Sequence, residues 1–177
     1  MTEDFYDIMT TELRKKTKKH YMFEEIEGDY KQRMIDIFNK AIQDEISSAA
    51  VYLKIAGLMD GFDSHEIVEK MISHGKEEFE HYTSLIDYAS NHGILEYLDI
   101  SLQDYARTYP DPNDIQGILD YKQELEIQAM NDYLNAAELA HQKGDTLTKL
   151  FFQHLAGDER RHYDDLQRFS KGNKNEF

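Results

Sequence analysis

Apolar residues recur along this chain at spacings of three and four, in four stretches of roughly 25–30 residues each, the pattern of long amphipathic helices. The first runs from about Tyr30 to Asp60, with Met34, Phe38, Ala41, Ile42, Ala49, Tyr52, Leu53 and Ala56 on one face and Gly61 as a stop signal. The second runs from about Ser64 to Asn91, with Ile67, Val68, Met71, Gly75, Tyr82, Leu85 and Ala89 as its stripe. Asp63 and Glu66 form a capping box before it, and Gly93 follows as the C′ residue. The third spans about Asp114 to Gln142 behind an Asn113–Gln116 capping pattern, with Ile118, Leu119, Leu125, Ala129, Met130, Tyr133, Ala137 and Ala140 in its stripe. Gly144 and Asp145 make a tight turn and cap. The fourth helix then reaches about Phe169 through Leu147, Phe151, Leu155 and Leu166.

No stretch alternates with the period of a strand. The connection from Ile94 to Asn113 holds both prolines and exceeds the roughly 2–8 residues that join antiparallel neighbours in bundles. It predicts a crossover along the bundle. The expected architecture is therefore all-α: a four-helix bundle of two helical hairpins joined by a long crossover, over residues 29–170. Residues 1–28 form an N-terminal extension. A short helix there carries Phe5, Ile8, Met9 and Leu13, and a basic run follows from Arg14 to Lys19. Residues 171–177 read as a flexible tail.

Each of the four stripes is interrupted by an acid: Glu45, Glu78, Glu126 and Glu159. A carboxylate buried without a partner is very costly, so each needs a reason to be there. Two of them open the same five-residue run, Glu78-Phe79-Glu80-His81-Tyr82 and Glu159-Arg160-Arg161-His162-Tyr163. Glutamate and histidine three residues apart share one helical face. A single Glu-x-x-His reads first as a solvated surface pair. Here Glu45 precedes Glu78 by 33 residues, and Glu126 precedes Glu159 by the same 33. Adding 81 to Glu45, Tyr52, Glu78, His81, Tyr82 and Leu85 gives Glu126, Tyr133, Glu159, His162, Tyr163 and Leu166. The chain holds a degenerate repeat of a helical hairpin that preserves metal-ligand residue types.

Glu45, Glu78, His81, Glu126, Glu159 and His162 are thus the candidate ligands. Four carboxylates balance two divalent ions, and carboxylate with imidazole suits iron or manganese, with zinc a competitor. Tyr52 and Tyr133 read as core residues that could also hydrogen-bond a ligand carboxylate. His154 and Asp158 read as helix surface before they read as an accessory iron position. His20, His65, His74, His92 and His141 read as surface residues.

Composition narrows the alternatives. Cysteine is absent, which removes disulfides, thiolate metal sites and a rubredoxin-type iron. The net charge of −15 disfavours nucleic acid as a partner, the basic arm apart. No apolar run approaches a signal peptide or the roughly 20 residues of a membrane span. A cytoplasmic location is the expectation.

At the ligand positions, over about residues 30–170, the chain resembles the ferritin-like di-iron superfamily. The second Glu-x-x-His makes it most similar to bacterioferritin, with rubrerythrin second. The resemblance implies two iron ions per chain and a ferroxidase that oxidises Fe(II) with dioxygen or peroxide and stores or detoxifies iron. Glu45 and Glu126 would be terminal ligands, and Glu78 and Glu159 bridging ones. A homo-oligomer is implied, a cage or a dimer. The alternative is a rubrerythrin-like peroxidase or another di-iron oxidoreductase without mineral storage. Three departures stand out. Phe79 occupies the position of bacterioferritin's haem-binding methionine, so no haem is expected. A short fifth helix is not seen, which puts the 24-subunit cage in question. The arm of about 28 residues before the first helix is extra. Against rubrerythrin in particular, Ala129 stands where that family carries a further third-helix glutamate.

Overall fold

A computed structural model describes residues 28–59, 65–99 and 114–173, without the side chains of Gly172 and Asn173. Within it four long helices follow one another: α1 (Asp29–Met59), α2 (His65–Asn91), α3 (Ile115–Gln142) and α4 (Thr146–Asn173). A single 3-10 turn, Leu95–Tyr97, follows α2. No strand occurs among the described residues. The expected N-terminal helix and basic run, Gly61, Asp63 of the capping box before the second helix, Asn113 of the one before the third, and both prolines of the crossover lie outside them.

The helix ends follow local chemistry. Gly93 and Gly144 sit at φ of 70° and 73°, a left-handed conformation open to glycine at little cost. The cap of α3 is Asp114 rather than Asn113. Its Oδ1 accepts from the Gly117 amide at 2.8 Å, while Gln116 donates forward to Asp120 at 2.6 Å instead of reaching back. Asp145 caps α4, accepting from the Thr148 amide at 3.1 Å and from its hydroxyl at 2.7 Å. α4 runs on to Asn173, past the expected end at Phe169. Ser170 is buried there beside Asp120 of α3, which holds the extra turn against the bundle.

The helices pack as two hairpins, α1 on α2 and α3 on α4. α1 runs parallel to α4: Tyr30 donates to Asp145 at 2.9 Å, and Phe38 stacks on Phe151. α3 runs antiparallel to α1, since Ser48 meets Lys122 while Lys40 meets Asp132. α2 and α3 therefore point the same way, the arrangement that the length of the link between them predicts.

The core falls into two apolar clusters. One gathers Tyr30, Met34, Phe38, Leu85, Tyr88, Phe151 and Phe152 with their neighbours. The other gathers Val51, Ile55, Met59, Met71, Ile118, Leu119 and Leu166. Burial of such side chains is worth about 1.5–3 kcal/mol each. Leu53, expected in the α1 stripe, is instead 50% exposed. It lies at the outer edge of the α1–α2 groove beside Gly75. Between the two apolar clusters lies a buried polar belt.

Candidate metal centre

All six expected ligands are in this belt, each no more than 6% exposed. α1 supplies Glu45, α2 Glu78 and His81, α3 Glu126, and α4 Glu159 and His162. They form two overlapping groups whose ligand atoms lie within 4.8 Å of one another: Glu45, Glu78, His81 and Glu159, then Glu78, Glu126, Glu159 and His162. Glu78 and Glu159 belong to both. One buried atom of each residue makes no hydrogen bond: Glu45 Oε2, Glu78 Oε2, His81 Nδ1, Glu126 Oε2, Glu159 Oε1 and His162 Nδ1. The imidazole nitrogens approach neighbouring carboxylate oxygens at 3.2–3.6 Å without well-directed hydrogen bonds. Buried polar atoms are normally satisfied. Six that are not, converging at one level of the bundle, fit a cation that takes oxygen and nitrogen donors.

The opposite atoms of the same groups are held firmly. Tyr52 donates to Glu126 Oε1 at 2.8 Å, and Tyr133 donates to Glu45 Oε1. Each tyrosine thus serves the glutamate of the other hairpin, as the repeat requires. On α4, Asp158 lies 3.4 Å from His81 Nε2; on α2, Glu77 lies 3.0 Å from His162 Nε2. An imidazole held by a carboxylate on one nitrogen presents the other in a fixed direction. Glu77 and Asp158 are themselves 81 residues apart. The repeat therefore extends one residue further than the ligand pattern, to the acid before each Glu-x-x-His. Arg161 bridges both acids, at 2.6 and 3.0 Å. His154 lies 3.7 Å from Asp158, which turns to His81 and Arg161 rather than to an accessory position.

Two residues enter the belt that the repeat does not reveal. His74, expected at the surface, is fully buried, its ring 4.2 Å from that of His162 and 5.4 Å from that of Tyr52. It precedes His81 by seven residues, two helical turns, and so shares its face. Burial, then the neighbouring His162, pushes its pKa down to about 4. His65 and His141 are exposed and His92 is half-buried. His20 lies outside the described residues. His74, Glu77 and His162 form a third group able to hold a cation. Its acid is already paired with Arg161. Lys122 is the second such residue. It is fully buried, with Nζ 2.6 Å from Glu126 Oε1 and 2.7 Å from Ser48 Oγ. It sits four residues before Glu126, in line with Ile118 and Leu119, and a lysine in an apolar stripe is the signal that points to it.

With protons alone to balance the charge, the carboxylates divide. Burial first, then the charges of Glu78 and Glu159, raises Glu45 well above the usual range. Burial and Glu78 raise Glu159 to about 7. Burial also opposes ionisation of Glu126, but Lys122 outweighs it and draws the group down to about 2. Glu78 is held well below the usual range, against burial, by His162, His81 and Lys122. Both imidazoles, despite burial, are pushed up by the acids around them. Protons here compete with any cation. A cavity of about 50 Å³ opens on the belt between α1 and α3, lined by Asp44, Gln128 and Asp132 outside and by Glu45, Glu78, Glu126 and Glu159 within.

No helix among the described residues is long and apolar enough to cross a membrane. No curated protein matches the chain. Several solved structures share its fold. Bacterioferritin from Rhodobacter capsulatus superposes with a TM-score of 0.70 at 22% identity, covering 85% of this chain and 89% of that one. The open-pore ferritin of the archaeon Archaeoglobus fulgidus gives 0.67 at 20% identity, covering 79% and 83%. An iron-soaked variant of PmFTN gives 0.68 at 22% identity, covering 82% and 90%. At such identities the likeness is one of fold. Residues 35–172 match the ferritin-like domain. That match takes in most of α1, nearly all of α4, the whole of α2 and α3, and every residue of the polar belt, and on it the chain belongs to the ferritin-like family.

Proposed function

We propose that this protein is a ferroxidase that binds two Fe(II) ions per chain at Glu45, Glu78, His81, Glu126, Glu159 and His162. The observation that carries this reading is the set of six buried ligand atoms without hydrogen bonds, turned inward from four helices. Glu78 and Glu159, common to both four-residue groups, are the bridging ligands, and Glu45 and Glu126 the terminal ones. Iron is the substrate. Two Fe(II) ions give up one electron each, and the pair of electrons with two protons takes dioxygen to hydrogen peroxide, or peroxide to water. Tyr52, Tyr133, Glu77 and Asp158 hold the ligands in place. Rigid ligands lower the reorganisation needed when the charge on iron rises.

The oxidised iron is stored or detoxified within a homo-oligomer of this chain, in the cytoplasm. The test is anaerobic titration with Fe(II). Saturation near two equivalents per chain is expected, and a stoichiometry of one or none would remove the centre. Particle mass separates storage from a mineral-free oxidoreductase. Hundreds of kilodaltons fit a cage, whereas about twice 20.9 kDa fits a dimer without a mineral cavity.

A further inference from the structure

We propose that Lys122 makes the two halves of the centre unequal toward metal. The half that adds Glu45 and His81 to the shared Glu78 and Glu159 takes a divalent cation first. The half that adds Glu126 and His162 takes one only in competition with the Lys122 ammonium. This inference rests on the metal-centre reading above.

The repeat shows where the symmetry breaks. Subtracting 81 from Lys122 gives Ala41, and adding 81 to Ser48 gives Ala129. The Lys122–Ser48 pair thus stands at one half of the belt, and two alanines at the corresponding places of the other. Lys122 Nζ donates to Glu126 Oε1 at 2.6 Å and to Ser48 Oγ at 2.7 Å, and lies 3.8 Å from the centre of the Tyr52 ring. Two acceptors and the cation–π contact account for the three protons of the ammonium. Ser48 passes the link on to Glu78 Oε1 at 2.8 Å, which is itself 3.9 Å from Nζ. Glu78 is common to both four-residue groups, whereas Glu126, the nearer acid, belongs to the second alone.

A fully buried ammonium is tolerated only where anions neutralise it. Lys122 is therefore a resident cation of the site, and it changes the charge balance that the carboxylates alone suggest. Four glutamates with Lys122 carry three net negative charges. One divalent ion leaves one negative charge, and a second takes the cluster to one positive. The second ion must then displace the ammonium from Glu126 or bind beside it. Either way the second step is weaker. Among the described residues no lysine or arginine touches Glu45, whose Oε1 accepts from the neutral Tyr133 hydroxyl.

The experiment is anaerobic calorimetric titration of the full chain with Fe(II), alongside Lys122→Met and Lys122→Gln. The parent should bind in two steps, the second weaker by roughly tenfold or more. Lys122→Met removes the charge and keeps the apolar stem. Lys122→Gln removes the charge and keeps hydrogen bonding to Ser48. In both, the second step should tighten to within a few-fold of the first. Melting of the metal-free proteins accompanies the titrations. A merely structural lysine would lower the melting temperature in the variants and leave the ratio of the two affinities as in the parent, which would overturn the proposal. Two equal steps in the parent would overturn it without any variant, whether or not the variants fold, and would leave the di-metal reading standing. No Fe(II) binding by parent or variants would overturn both.

Discussion

Position within the belt decides what each side chain does. Glu159 shows this most plainly. It is shared by both four-residue groups, and one oxygen lies 3.2 Å from His81 and the other 3.5 Å from His162. Glu159→Ala should remove a ligand common to both metals. The rapid oxidation of the first two Fe(II) ions per chain should then collapse by at least about a hundredfold, the scale on which loss of one strong electrostatic contact acts. His65, 87% exposed at the start of α2, is the control, and His65→Ala should leave that phase intact. Stopped-flow oxidation at two Fe(II) per chain decides. If Glu159→Ala oxidises iron as fast as the parent, the reactive centre lies elsewhere. The repeat alone makes the six candidate ligands and both tyrosines legible in the sequence. Lys122 and His74 are not legible in the same way, because a polar residue beside an apolar stripe can turn either inward or outward. Only the position of the neighbouring helices determines which.

For the helices, close approach matters more than propensity, and two glycines separate the effects. Gly57 lies on the exposed side of the last turn of α1, and a Cβ there would meet no neighbouring group within 4 Å among the described residues. Gly57→Ala should therefore stabilise the metal-free protein by about 0.5–1 kcal/mol, through the unfolded chain and helix propensity. Gly75 lies where α2 crosses α1. A Cβ there would stand 3.2 Å from Tyr52 Cβ, 3.2 Å from Leu53 Cγ and 3.3 Å from the Ala49 carbonyl oxygen. Leu53 can move, but the Ala49 backbone and the first carbon of Tyr52 cannot without shifting α1. Gly75→Ala should lose the propensity gain, and by moving Tyr52 it should weaken the support of Glu126. Chemical denaturation of both variants, with Fe(II) titration of the second, is the check. Equal stabilisation by the two substitutions would show that the α1–α2 contact yields more easily than these distances imply.

Across the whole molecule, the centre is one layer in a bundle whose two ends are apolar, and the ends respond to pH separately from the metal site. His92, just after α2, stacks on Tyr88 with ring centres 3.9 Å apart, and its Nδ1 lies 2.8 Å from the Tyr88 carbonyl oxygen. Burial depresses its pKa below the ordinary value of about 6.5, against the pull of the Tyr88 carbonyl, Asp145 and Asp87. A base depressed in the folded state gives its full stabilisation above the unfolded-state pKa. That stabilisation fades as pH falls below about 6.5 toward the folded-state value. His92→Phe keeps the stacking and removes the titration. The difference in melting temperature between parent and His92→Phe should be constant from pH 7 to 8 and should shift in favour of the variant between about pH 6.5 and 5. A difference that stays flat throughout would mean that His92 titrates alike in both states.

The helical periodicity, the two hairpins, the long link between them and the repeated ligand set are all legible in the sequence, since each depends on spacing along one chain and on the fixed pitch of the α-helix. The tertiary structure decided what lies opposite what. It placed Tyr52 against Glu126 and Tyr133 against Glu45, exchanging partners between hairpins. It set Glu77 and Asp158 behind the imidazoles, moved the α3 cap to Asp114, left Leu53 at the surface and drew His74 and Lys122 inside. These outcomes depend on how far each helix is rotated about its own axis against three others. That rotation is set by the packing of Phe38, Tyr88, Phe151 and Phe152 at one end and of Met59, Met71, Leu119 and Leu166 at the other, and a one-dimensional pattern does not contain it.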